Sequence, residues 1–145
     1  MEILKKFKHK IQLSVRYADL DTLAHVNNKA YLSYLEEARI AYYNDVIDLN
    51  LSNLDFSSVV ANINISYKYP IFFSNKLVVY TRCSKIGSKS FELENVIVAI
   101  NEKNEENIAA TSITTMVSVD LKTGKTIEND SVKMDKIRKF EYISL

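Results

Sequence analysis

The chain has 145 residues, of which 47% are hydrophobic and 26% charged, with a formal net charge of +1. That length and balance suit one globular domain with its own core, and the near-neutral charge excludes a strong general pull toward nucleic acid or an anionic membrane. A single cysteine, Cys83, excludes an internal disulfide and a multi-cysteine metal site.

No apolar stretch approaches the roughly 18 residues of a membrane span, and the start lacks the apolar region of a signal peptide, so a cytoplasmic location is expected. With 2 glycines and 1 proline, linkers and low-complexity segments are absent. The basic run Lys5-Lys6-Phe7-Lys8-His9-Lys10 reads as a solvated N-terminal edge.

Phe7 to Tyr17 alternates around Ile11, Leu13, Val15 and Tyr17, which predicts a strand. A compact polar loop, Asp19 to Asn28, follows. From Ala30 the period becomes helical: Tyr31, Tyr34, Leu35, Ala38, Tyr42, Val46 and Leu49 recur at three- and four-residue steps and share one face. Glu36, Glu37 and Arg39 fall on the flanks and predict an exposed, ion-paired surface. Asn27 or Asn28 suits the N-cap, where a side-chain oxygen satisfies a donor of the first turn.

Four more strands are predicted. Val59 to Tyr69 alternates with Ala61, Ile63, Ile65, Tyr67 and Tyr69 on one side, and Pro70 ends it. Leu77 to Ile86 turns at Gly87-Ser88 into Phe91 to Ile100, and a polar tip leads into Ile108 to Asp120. Leu121 to Lys125 reads as a turn, and Val132 to Phe140 as a short terminal helix. Cys83 sits mid-strand, as a packed side chain rather than a nucleophile. One helix with a broad apolar stripe cannot bury itself alone, so the sheet must curl round it. Polar residues opposite that core are too numerous for a second hydrophobic layer, and the open sheet edges predict pairing of two copies.

The chemistry concentrates in Asp19-Leu20-Asp21-Thr22-Leu23-Ala24-His25-Val26-Asn27-Asn28. Asp21 lies a few residues before a helix start, where unpaired backbone N–H groups can polarise a carbonyl. A carboxylate beside such amides is a minimal kit for cleaving an ester or thioester, although a loop aspartate capping a turn has the same spacing. Asp19, two residues earlier, points elsewhere in an extended segment and reads as a loop-former. His25 is close enough to Asp21 to orient its carboxylate, to donate to a substrate, or to hold the loop together. No Gly-rich phosphate loop, Gly-x-Ser-x-Gly elbow or metal-spaced histidine pair is present, so no cofactor and no metal are expected.

With the loop and this element order, the chain resembles the hotdog-fold thioesterases of the 4-hydroxybenzoyl-CoA thioesterase type. Tyr17, Asp19, Asp21, His25-Val26-Asn27-Asn28, Tyr31 and Glu36-Glu37-Ala38-Arg39 match the family's loop and helix signature. Tyr67-Lys68-Tyr69-Pro70 and Ile86-Gly87-Ser88-Lys89-Ser90-Phe91 match its later motifs, so the resemblance runs from about Lys10 to Thr126. Ala24 stands where the family usually has glycine. The loop is also similar to that of plant acyl-ACP thioesterases, whose asparagine corresponds to Leu23 here.

The resemblance implies an α+β hotdog fold, residues 1–145 forming one domain with a five-stranded antiparallel sheet wrapped around one long central helix. It implies an acyl-CoA thioesterase of fatty acid metabolism, acting as a homodimer or homotetramer, with Asp21 as nucleophile or as base for water. The backbone N–H at Asn28 would meet the thioester oxygen, and His25 would assist. Tyr31 and Tyr67 would line the acyl site, while Lys68, Ser88, Lys89 and Ser90, with Arg82 and Lys85, would contact coenzyme A phosphates. An acyl-ACP substrate and a non-catalytic acyl-CoA-binding module are the alternatives.

Overall fold

The computed structural model describes residues 1–49 and 56–142. A 3-10 turn at Glu2–Lys6 leads into β1 (His9–Ser14), shorter than the predicted Phe7–Tyr17 strand. Asp19 ends β1 early: it accepts the Arg16 N–H at 2.9 Å and draws Tyr17–Asp19 into a second 3-10 turn. In the basic run, Phe7 and His9 point inward while the lysines stay outside.

Helix α1 (Asn28–Ile47) begins two residues before Ala30. Asn27 is the N-cap; its Oδ1 accepts the Lys29 N–H at 2.9 Å. At the far end Asp48 turns left-handed, with φ of 57°, and its N–H donates to the Tyr43 carbonyl. Tyr31, Tyr34, Leu35, Ala38, Tyr42 and Val46 are all buried, as their spacing predicts.

The remaining strands are β2 (Ser58–Tyr67), β3 (Lys76–Ile86), β4 (Ser90–Ile100) and β5 (Glu106–Ser118), followed by α2 (Ser131–Glu141). All pairings are antiparallel in the order β1-β3-β4-β5-β2, which leaves β1 and β2 at the edges. The N-terminal half of α1 packs on Leu77, Val79, Ile97, Ala99 and Ala110, and its C-terminal half on Cys83, Phe91, Leu93 and Met116. Met134 and Ile137 of α2 close that second cluster, and Glu141 accepts the Tyr42 hydroxyl and the Cys83 N–H, both at 2.7 Å.

Two expectations need correction. The outer sheet face does carry an apolar centre: Val96 and Val98 are buried beneath Leu4 and Phe7 of the N-terminal segment. Even-numbered positions of β4 point outward, and Val96 and Val98 interrupt the run of outward glutamates, Glu92 and Glu94. Strand β2 alternates only from Ile63 onward. A bulge between Val60 and Asn62 breaks its register with β5 and leaves Val59 and Val60 about 40% exposed. No helix among the described residues is long and apolar enough to cross a membrane.

Candidate active site

The loop between β1 and α1 is anchored by Asp19 and presents Asp21. Asp19 is buried, and its carboxylate accepts the Arg16 N–H, the Tyr34 hydroxyl at 2.7 Å and the Arg16 guanidinium at 3.2 Å. Burial opposes its ionisation, but these hydrogen bonds outweigh that and hold the carboxyl below its ordinary range. Burial, aided by the Asp19 carboxylate, pushes the Tyr34 hydroxyl upward. The Asp19 carbonyl also accepts the Asn27 N–H at 2.7 Å, which brings the N-cap back over the loop.

Asp21 is exposed and wound into a tight turn. Its Oδ1 accepts the Leu23 N–H at 2.8 Å and the His25 N–H at 3.2 Å, and its own N–H donates to the His25 carbonyl at 2.8 Å. Its Oδ2 makes no hydrogen bond to any described residue. Ala24 closes the turn at φ of 63°, the left-handed region that favours glycine, so the substituted family glycine sits at a position that uses glycine's freedom. His25 meets Asp21 through main-chain atoms, and its imidazole lies edge-to-face on Phe72 with centroids 5.1 Å apart.

At the start of α1 the three leading amides differ. Lys29 N–H donates to the Asn27 side chain and Ala30 N–H to the Asn27 carbonyl, whereas Asn28 N–H has no partner among the described residues. This unpaired donor sits at the positive end of a 20-residue helix. The Tyr67 hydroxyl donates to the Asn28 carbonyl at 3.4 Å, and its ring stands on that of Tyr31 with centroids 4.9 Å apart.

These parts form one open cleft of about 300 Å³, lined by Asp21, His25, Val26, Asn28, Tyr31, Tyr67, Lys68, Tyr69 and Pro70. Six of the nine residues predicted for the site therefore meet. Ser88, Lys89 and Ser90 do not: they form the β3–β4 turn, where Asn129 donates to the Gly87 and Ser90 carbonyls, both at 2.9 Å. Ser90 pairs with Val117 while Tyr67 pairs with Ala110, seven positions along β5, or on the order of 20 Å within the chain.

Arg82 is held by Glu94 at 2.6 Å. Arg39 pairs with Glu36 at 3.9 Å as the flank's charge pattern predicts; Glu36 and Glu37 are exposed, whereas the Arg39 side chain is only 13% exposed. Cys83 is fully buried, and burial pushes its thiol up to about 12, which removes it as a nucleophile. Sequence reasoning missed Val26, whose N–H donates to the Ile71 carbonyl at 2.8 Å, and Phe72, the partner of His25. The one local signal for the second segment was Pro70, which marks a turn and says nothing of what the turn touches.

The Asn28 amide and the Asp21 Oδ2, both without a hydrogen-bond partner among the described residues, belong to residues that line one cleft, an arrangement compatible with the class of thioester hydrolases. Residues 15–137 match the family model of the thioesterase-like superfamily. The long-chain acyl-CoA thioesterase FadM of Escherichia coli strain K12 is 33% identical over 129 residues, covering 87% of this chain and 94% of that protein. A thioesterase from Thermus thermophilus, solved in complex with coenzyme A and zinc, superposes with a TM-score of 0.81 at 28% identity, covering 97% of this chain and 99% of that one. The 4-hydroxybenzoyl-CoA thioesterase of Pseudomonas sp. strain CBS-3 shares the fold, with a TM-score of 0.76 at 14% identity over 88% of this chain and 97% of that one. The chain belongs to the thioesterase-like superfamily of hotdog-fold proteins and is, by family, a thioester hydrolase.

Proposed function

We propose that the protein hydrolyses acyl-CoA thioesters to a free acid and coenzyme A, with Asp21 as the acting carboxylate and the Asn28 backbone N–H as the oxyanion donor. The observation that carries this reading is that the helix-start amide of Asn28 and the Oδ2 of Asp21, neither with a hydrogen-bond partner among the described residues, belong to residues lining one cleft. The thioester carbonyl oxygen accepts from Asn28 N–H, and the helix field stabilises the negative charge that develops there. Asp21 Oδ2 then either attacks the carbonyl carbon, forming an acyl–aspartyl anhydride that water afterwards hydrolyses to the free acid and the carboxylate, or takes a proton from a water that itself attacks that carbon. The C–S bond breaks, and the thiolate leaves with little need of acid assistance, then takes up a proton as coenzyme A. Oδ1 stays engaged with the loop amides throughout, so the carboxylate reacts from a fixed position.

Coenzyme A is the carrier favoured by the E. coli relative and by the coenzyme A complex of the T. thermophilus one. Tyr31, Tyr67 and Tyr69 give the cleft an aromatic wall for the acyl group, and Lys68 offers a cation at its rim. The open edge of β2 and its exposed Val59 and Val60 support a homodimer built on that strand.

The test is a panel of acyl-CoA thioesters and matching acyl-carrier-protein thioesters given to the purified protein, with thiol release followed over time. Turnover of the coenzyme A series in preference to the carrier-protein series is the expected outcome. Saturable binding with no thiol released would mean a binding module instead.

A further inference from the structure

The Asp21 turn rests on a second segment, Ile71–Asn75, which follows Pro70 and precedes β3. Asn75 is 9% exposed; its Oδ1 accepts the Phe72 N–H at 2.9 Å and its own N–H donates to the Phe72 carbonyl at 3.0 Å. One residue thus clamps the peptide groups on both sides of Phe72. From this clamp, contacts run directly to the site. The Ile71 carbonyl accepts the Val26 N–H at 2.8 Å, Phe72 pairs with His25 as an antiparallel bridge, and both main-chain groups of His25 bond to Asp21. Asn75 itself does not line the Asp21 cleft.

We propose that Asn75 is a positioning residue for Asp21, acting through the Phe72 peptide and the His25–Val26 segment. This rests on the reading of Asp21 as the acting carboxylate. The Asp21 turn is short, exposed on one side and closed by a left-handed alanine, so its own hydrogen bonds do not fix where it sits relative to α1. Asp19 ties the start of the loop to α1 through Tyr34 and Asn27, and the bridge to Phe72 and the bond to Ile71 hold its His25–Val26 end, where Asn75 fixes the Phe72 peptide groups. A displacement of about 1 Å at a reacting group lowers a rate by about a hundredfold, so a residue outside the cleft can act on turnover without touching substrate.

The test compares wild type with Asn75→Ala, Asn75→Gln and Asn75→Asp. Aspartate presents an oxygen where the asparagine has one; glutamine carries it a methylene further. Two readouts are taken: hydrolysis of a saturated acyl-CoA series, and amide hydrogen exchange of the protein alone. N75A and N75Q should lose about ten- to a hundredfold in kcat with KM within about twofold, while N75D stays within about threefold of wild type. The Asp21 and Val26 amides should exchange about tenfold faster in N75A and N75Q, with the α1 amides from Tyr34 to Tyr42 unchanged.

Exchange is read without substrate, so a wild-type protein that releases no thiol defeats the functional reading while exchange still decides the positioning. If N75A does not fold, N75Q against N75D makes the same comparison. The proposal is overturned if kcat of N75Q stays within twofold of wild type, if N75D is as impaired as N75Q, or if α1 loses protection together with Val26. That last result would make Asn75 a general stabiliser of the fold.

Discussion

Asp21 and His25 are tied to each other in both directions through the main chain of His25: its N–H donates to Asp21 Oδ1 at 3.2 Å, and its carbonyl accepts the Asp21 N–H at 2.8 Å. The pair fixes one carboxylate oxygen and leaves the other without a hydrogen-bond partner among the described residues. It also leaves the imidazole to pack on Phe72 rather than on the carboxylate. The turn does the orienting that the sequence spacing alone could assign equally well to the histidine ring.

Ala24 lies inside this turn at φ of 63°. A left-handed alanine carries a steric penalty on the order of 1–2 kcal/mol, partly offset by its smaller entropy in the unfolded chain. Ala24→Gly should therefore stabilise the protein by about 0.5–1 kcal/mol in urea unfolding. A lower urea midpoint for the variant would contradict the strained-turn assignment.

Asp19 links stability to pH. Its folded pKa lies below the ordinary 3.8, so the unfolded chain binds the proton more tightly. The stability it contributes is complete above the unfolded value and is lost as pH falls through the folded one. The urea midpoint of the wild type should fall below about pH 4 more steeply than that of Asp19→Asn. At neutral pH the same variant should be less stable by about 1–3 kcal/mol, because the buried Tyr34 hydroxyl and the Arg16 N–H lose a charged acceptor. Parallel pH profiles for the two proteins would rule out this role.

Cys83 gives a simple probe of the core. With its thiol buried and pushed up to about 12, the native protein should react with no aromatic disulfide reagent at about pH 8, and with one equivalent in guanidinium. Native labelling would show that the cluster joining α1, β3 and α2 opens readily. The expected silence also means that thiol released in an assay comes from substrate.

The helix and the loop before it were legible because their signals are local. Tyr31, Tyr34, Leu35, Ala38, Tyr42 and Val46 share one face by spacing alone, and the Asn27 cap follows from residue type. The gathering of Asp21, Asn28, Tyr31, Tyr67 and Lys68 was legible only through family resemblance, since β2 and the loop are distant in sequence. The Phe72–His25 bridge left no trace, because main-chain hydrogen bonds do not depend on which residues make them, and the Asn75 side-chain clamp is local to Phe72, with nothing in its spacing to name the loop it supports. The β2 bulge was hidden for a related reason: Val59, Val60 and Ala61 continue an apolar run that conceals a change of register. Ser88, Lys89 and Ser90 matched a motif, but a motif carries no distance, and in this chain their turn is clamped by Asn129 far from Asp21. The ion-paired flank of Glu36, Glu37 and Arg39 was legible by spacing, but not the shelter of Arg39, whose period places it beside the apolar stripe, where a long side chain lies along the surface.

The central claim is most directly tested by thioester hydrolysis with Asp21→Asn. Asparagine keeps the Oδ1 acceptor for the Leu23 and His25 amides, so the turn and the melting temperature should be preserved while the reacting oxygen is lost. The account predicts a fall in kcat of about a hundredfold or more with KM little changed. A folded D21N protein that releases thiol at the wild-type rate would contradict it.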